Sequence, residues 1–246
     1  MREREFFAVT GDIERSREVR DRDELYHQIE EAIGYVNRKL EPFLAVPFSI
    51  TVGDEFQGLL KQGMAAILAT QVFACKLFPF RARFGIGVGR VDTPLAERTA
   101  LMDGECLRRS RQAIEAAKQS ARRRSGEALL SSRESPHMGF PTRFAVVCGD
   151  EEREKFINVL LFVVSRIQED WRGLHFRRYL MMVEATLQGK GFSLSEMAKA
   201  EGISGPALRK SIRQKLLDVA WLCVMTAGAT MSRENQRGFL SHELTI

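Results

Sequence analysis

Two aspartates form the arrangement in this chain with the plainest chemistry. Asp12 ends an apolar, β-prone run, Glu5–Ile13 (EFFAVTGDI). Asp54 stands with Glu55 at the bend of Phe48–Leu60 (FSITVGDEFQGLL), where two β-rich runs meet at Gly-Asp as in a hairpin. If the first strand lies beside the hairpin, Asp12 and Asp54 meet at one edge of a sheet. Two neighbouring carboxylates repel unless a cation lies between them. Oxygen-only ligands fit Mg²⁺ or Mn²⁺, which completes its shell with water and phosphate oxygens. Such ions support phosphoryl transfer, with Asp12 and Asp54 as candidate catalytic residues. The alternative is that each aspartate is simply a turn residue.

A basic stretch follows. Residues 104–125 carry Arg108, Arg109, Arg111, Lys118, Arg122, Arg123 and Arg124 against Glu105 and Glu115, a net +5. This helix would neutralise phosphate charge, with Arg108, Arg109 and Arg111 as candidate contacts. A second zone, residues 171–217, has a net +6, whereas the first forty residues sum to −2. Two basic zones on a chain of net charge +5 point to polyanions such as nucleotides or nucleic acid. A solvated basic surface is the competing reading.

The elements that must position these residues follow from periodicity. Asp21–Leu40 reads as an amphipathic helix, with Leu25, Ile29, Ala32, Ile33, Val36 and Leu40 at helical spacing and Pro42 as its stop. Met64–Leu77 reads as a second amphipathic helix. Arg81–Val91 (RARFGIGVGRV) is a strand whose alternating glycines 85, 87 and 89 share one face, so something approaches that face closely. Either a ligand or a tightly crossing helix satisfies this. There is no GxxxxGK phosphate loop. Gly104–Arg124 is a helix, Ser131–Thr142 a loop, and Arg143–Cys148 a last edge strand. The order predicts an α+β fold, an antiparallel sheet with helices on one face.

After a boundary near Asp150 the pattern is helical. Glu151–Glu169 is amphipathic around VLLFVV, and Phe176–Leu187 stops at Gly189-Lys190-Gly191. Ser193–Glu201 opens on a capping-box pattern, and Gly202 ends it. A third helix runs from Ser204-Gly205-Pro206 to about Thr226. LSEMAKAEGISGPALRKSIRQ has the helix-turn-helix rhythm, though Glu201 stands where an apolar residue is usual. Arg209, Lys210 and Arg213 suit phosphates, while Ser204, Ala207 and Lys210 could reach base edges. A helical bundle for dimerisation is the alternative. The apolar second half of the long helix requires burial against Glu151–Glu169 or a second subunit, so a homodimer is a further expectation.

Composition narrows the class. At 246 residues and 44% hydrophobic, the chain suits one large or two modest globular units. It lacks an apolar run long enough for a bilayer and a secretory leader, so a cytoplasmic, non-membrane protein is expected. Four scattered cysteines and four scattered histidines suggest neither a disulfide frame nor a zinc site.

Three stretches carry a resemblance. GDI, VGDEFQGLL and RFGIGVG resemble the palm of class III nucleotidyl cyclases and GGDEF-type cyclases. Taken together, GDIERSREVRDR, ITVGDEFQGLL and RFGIGVGRVDT are similar to the SatD family, bacterial proteins that join such a segment to a helix-turn-helix. The resemblance implies a ferredoxin-like palm over residues 1–150 and an all-α helix-turn-helix unit over 151–246. It implies a two-metal nucleoside triphosphate site, with Asp12 and Asp54 as ligands, the Ile13 carbonyl as a third, and Glu55 matching the acidic neighbour in GGDEF proteins. DNA is the implied partner of the C-terminal part. The pattern departs from cyclases on the basic helix. Aligning Gly104 with their glycine puts Arg108 at the asparagine position and Gln112 at the arginine position, leaving Arg109 or Arg111 to substitute.

Overall fold

The computed structural model describes residues 5–122, 143–189 and 193–231. The expected loop 131–142, the 190–191 part of the helix stop and the side chains of Arg122, Arg123 and Arg124 lie outside what is described. The order is β1 (Phe6–Ile13), α1 (Arg22–Leu40), β2 (Leu44–Val52), β3 (Glu55–Leu60), α2 (Gly63–Lys76), β4 (Ala82–Gly89), α3 (Glu105–Arg122) and β5 (Phe144–Val147). Then come α4 (Glu151–Glu169), α5 (Gly173–Leu187), α6 (Leu194–Glu201), α7 (Gly205–Gln214) and α8 (Leu217–Met231). Among the described residues no helix is long and apolar enough to cross a membrane.

The sheet order is β2-β3-β1-β4-β5. The hairpin forms as expected, β2 against β3, and β1 pairs antiparallel with both β3 and β4. β5 runs parallel to β4, so the sheet is mixed, not antiparallel. Both edges are closed by an asparagine from a helix. Asn37 of α1 exchanges two hydrogen bonds with the backbone of Phe48 on β2, at 2.8 and 2.9 Å. Asn158 of α4 does the same with Val146 on β5, at 2.8 and 3.0 Å. Each amide imitates a missing strand, which protects an edge from pairing with another chain.

Helices cover both faces of the sheet, which corrects the one-face expectation. The glycine alternation on β4 is the cause. A Cβ on Gly85 would lie 2.3 Å from the Ile114 nitrogen, and one on Gly87 would lie 2.1 Å from the Cys106 oxygen. The α3 backbone rests on those glycines, so the crossing helix, not a ligand, explains their spacing. The other residues of β4, Phe84, Ile86 and Val88, enter the main core with α1 and α2. There Phe56, Phe73, Phe84 and Phe144 form a run of ring contacts with centroids 4.6, 6.2 and 5.5 Å apart. Each such ring contributes about 1.5–3 kcal/mol by burial.

This core crosses Asp150 without interruption. α2 is buried at every residue from Gly63 to Ala74, not amphipathic as its sequence suggested. A helix buried all round needs neighbours on every side. The sheet supplies one side, and α5 and α8 the other. One apolar cluster accordingly holds Phe7 of β1, Phe73 of α2, Leu161 of α4, Tyr179 of α5 and Val224 of α8. The described residues on the two sides of Asp150 therefore share a core.

The expected long last helix is two helices. α7 ends at Gln214, and Leu216 takes a left-handed φ of 53° before α8 begins. The Trp171 indole donates to the Lys215 carbonyl at 2.9 Å in that break. One face of α8 then packs against α4 and α2, while Val219 and Leu222 stay exposed on the other. Arg153 of α4 donates to the carbonyls of Thr230 and Met231 at its end.

Candidate functional site

The corner formed by the end of β1 and the hairpin tip gathers Asp12, Ile13, Asp54 and Glu55. β1 and β3 pair through Gly11 opposite Phe56. Continuing that register sets Asp12 opposite Glu55 and Ile13 opposite Asp54. The Ile13 amide donates to Asp54 Oδ2 at 3.2 Å. In an antiparallel strand the amide and carbonyl of one residue face the same neighbour, so the Ile13 carbonyl also faces the hairpin. Gly53, with φ 61°, makes the bend that brings Asp54 inward. Glu55 is held within the hairpin, where its Oε1 accepts from the Thr51 hydroxyl at 3.1 Å.

Asp12 faces α3. Ala8, Thr10 and Asp12 alternate on that side of β1. Ala8 packs with Cys106, and the Thr10 hydroxyl donates to Ser110 Oγ at 3.0 Å. Gln57 Nε2 of β3 donates to Thr10 Oγ1 at 2.8 Å, closing a buried polar knot under the helix. Two turns past Ser110, Lys118 leans back toward the helix N-terminus, as long helical side chains do. Its Nζ lies 3.2 Å from Asp12 Oδ1 and 3.4 Å from Glu115 Oε1. Arg83, directly opposite Asp12 on β4, lies 3.8 Å from Asp12 Oδ2 and 3.6 Å from Glu14 Oε1.

The electrostatics of this corner are balanced between burial and pairing. Burial pushes the Asp12 carboxyl above its ordinary value, and the neighbouring charge of Asp54 pushes the same way. Lys118 and Arg83 oppose both. Burial pulls on the Lys118 ammonium in the neutral direction, but its pairs with Asp12 and Glu115 outweigh that and raise it. Lys118 and Arg83 thus both pair with Asp12, and with Asp54, Glu55, Glu14 and Glu115 close by the corner keeps an excess of negative charge.

The donors present suit a hard divalent cation. Asp54 accepts from the amide of the residue after Asp12, the Ile13 carbonyl faces the same hairpin, and an ammonium already lies against Asp12. Among the described residues no group of three or more histidine, cysteine, aspartate or glutamate side chains forms such a site. A cation here would take its other ligands from backbone, water or phosphate.

The three arginines expected to meet phosphate are not at this corner. Arg108 pairs with Asp92 and Asp103, at 2.9 Å each, and fastens the segment after β4. Arg109 pairs with Glu105 at 2.9 Å and donates to the Val88 carbonyl at 2.6 Å. Both belong to the first turns of α3, about 14 Å along the axis from Lys118. Arg111 is exposed, about 10 Å from Lys118 on the same measure. Sequence reasoning counted Lys118 only as one of seven basic residues and passed over Arg83. A lone lysine inside AIEAAKQSA, and the alternation of Arg83 with Gly85 and Gly87, were the available signals.

A second candidate surface lies on α6 and α7. Ser193 and Ser204 cap the two helices, accepting from the amides of Glu196 and Ala207 at 3.3 Å each. Gly202 ends α6 with φ 66°. Met197, Ala198, Leu208 and Ile212 are buried between the helices and the body. Ser204, Ala207, Arg209, Lys210 and Arg213 are exposed. Glu201, unusual at its position by sequence, meets Arg178 of α5 through hydrogen bonds of 2.9 and 3.0 Å from Nε. Arg178 also donates to Ser211 of α7. One guanidinium thus fixes both helices to α5.

No curated protein matches the chain. The SatD family profile matches residues 6–227, across the corner, the shared core and the α6–α7 pair, and the chain belongs to the SatD family.

Proposed function

We propose that this protein binds a nucleoside triphosphate with Mg²⁺ or Mn²⁺ at the Asp12–Asp54 corner, and DNA through α7. The observation that supports the first half is the 3.2 Å bond from the Ile13 amide to Asp54, which ties the hairpin tip to the residue after Asp12. A divalent cation bound there would neutralise phosphate charge and polarise a phosphoryl oxygen. Asp12 and Asp54 would hold it, with the Ile13 carbonyl as a third ligand. Glu55, opposite Asp12, adds negative field, and Lys118 and Arg83 supply the nearest positive charge for phosphate oxygens. This extends the resemblance to a ferredoxin-like cyclase palm, with a nucleotidyl transferase or cyclase as the corresponding activity.

The displacement of Arg108 and Arg109 from this corner favours a second reading. In it the palm-like part is degenerate and non-catalytic, and the protein is a DNA-binding transcriptional regulator. The exposed positive face of α7 supports DNA binding in both readings, with α6–α7 as a helix-turn-helix. Basic side chains would contribute phosphate contacts there, and the exposed Ser204, Ala207 and Lys210 would be the residues to reach bases.

The test is binding of a non-hydrolysable triphosphate in the presence of Mg²⁺, followed by assay of pyrophosphate from each natural triphosphate with Mn²⁺. Saturable binding lost in Asp54→Asn supports the first half. Pyrophosphate release lost in the same variant assigns turnover. Binding without release selects the regulator, and identical binding by wild type and Asp54→Asn removes the corner from the account.

A further inference from the structure

We infer that Lys118 is a built-in competitor for the cation at the Asp12–Asp54 corner, and that Glu115 is the station to which it retreats when the cation enters. This rests on the proposed cation site and adds its regulation. Lys118 Nζ lies 3.2 Å from Asp12 and 3.4 Å from Glu115, so one ammonium is shared between an enclosed carboxylate and an exposed one. Asp12 retains 18% of its side-chain exposure, Lys118 23% and Glu115 60%.

A divalent cation at Asp12 would stand within a few ångströms of that ammonium. Two like charges about 4 Å apart repel strongly even when partly screened. Arg83 cannot yield in the same way, because it is wedged between Asp12 and Glu14 on the sheet itself. Lys118 can, because four methylenes separate its charge from the backbone. Its second partner lies one turn back on the same helix face, so rotation about the side chain exchanges Asp12 for Glu115 without moving α3. Asp12 is thus held by the lysine until a cation displaces it, and cation affinity is set by how firmly Lys118 holds Asp12.

Two substitutions move that affinity in opposite directions. Lys118→Met removes the competitor and is expected to tighten Mn²⁺ binding about tenfold. Glu115→Gln removes the retreat, leaves Lys118 to Asp12 alone, and is expected to weaken binding several-fold. The measurement is Mn²⁺ titration of the full chain followed by electron paramagnetic resonance, without nucleotide. A simple field effect of Glu115 would weaken binding in any background. The exchange requires that Glu115→Gln lose its effect when combined with Lys118→Met.

Weaker or unchanged binding by a folded Lys118→Met overturns the inference, as does an equal effect of Glu115→Gln in both backgrounds. If Lys118→Met does not fold, Lys118→Gln takes its place in both backgrounds, and the same loss of the Glu115→Gln effect is required. Mn²⁺ binding that is lost in Asp54→Asn but unmoved by either substitution keeps the cation site and removes only the lysine's role. No binding by the wild-type chain removes both.

Discussion

The Asp54 carboxylate accepts the Ile13 amide hydrogen at 3.2 Å, across the gap between the hairpin tip and the end of β1. This bond brings a turn residue to the strand that carries Asp12. It serves the fold by satisfying a strand-end donor, and it leaves the second carboxylate oxygen available. Local structure, charge and the proposed chemistry meet in that single contact.

The seat of α3 on β4 predicts a sharp difference between two glycines. Gly87→Ala drives a methyl into the Cys106 carbonyl and the Ser110 nitrogen, both backbone atoms that cannot turn aside. A loss of about 3 kcal/mol is expected by chemical denaturation. Gly53→Ala has nothing within 4 Å and suffers only from its φ of 61°, at a cost of about 1 kcal/mol.

The guanidinium clamp on α6 and α7 predicts non-additive substitutions. The Arg178 and Glu201 side chains keep only 5% and 14% of their exposure. Arg178→Met leaves a buried carboxylate, and Glu201→Gln leaves a buried guanidinium. Each single change is expected to cost about 3–5 kcal/mol in urea unfolding. The double variant should recover part of that loss, because no uncompensated charge remains.

His175 predicts a pH effect on the start of α5. Its Nδ1 accepts the Arg172 amide at 3.0 Å, which only an unprotonated nitrogen can do. Burial lowers its pKa below the ordinary 6.5, and Lys215, Arg178 and Arg172 add repulsion. The folded chain thus binds this proton less readily than the unfolded chain. Its contribution is present above pH 6.5 and falls as pH drops through the lowered folded value. Thermal melts between pH 7.5 and 5 should show a smaller decline in His175→Gln than in wild type.

The face of α7 predicts a salt-linked loss of DNA binding. Arg209→Ala with Arg213→Ala removes two exposed charges that the core does not use. Non-specific DNA affinity is expected to fall, and the slope against log salt to shrink by about two. The melting temperature should stay unchanged. Wild-type affinity in the double variant would show that DNA does not meet this helix.

Strand alternation, helical spacing and the Gly-Asp turn made the hairpin, β1 and most helices legible in the sequence. The strand end at Asp12 and the turn at Asp54 were legible too, and the Ile13–Asp54 bond ties the one to the other. Other features were not. The glycines of β4 suit a ligand or a helix equally, and only the seat of Ile114 and Ser110 decides. Arg108 and Arg109 look like phosphate contacts until the direction of α3 is known. The break at Leu216 carries no glycine or proline, and the parallel pairing of β5 depends on contacts distant in sequence. The meaning of Glu201 lay with Arg178, twenty-three positions earlier.

The most direct measurement is Mn²⁺ binding by the full chain, compared among wild type, Asp12→Asn and Asp54→Asn by isothermal titration calorimetry. Saturable binding by the wild type, reduced at least tenfold in each variant while both keep the wild-type fold, is the expected result. Equal binding by all three, or none by the wild type, contradicts it.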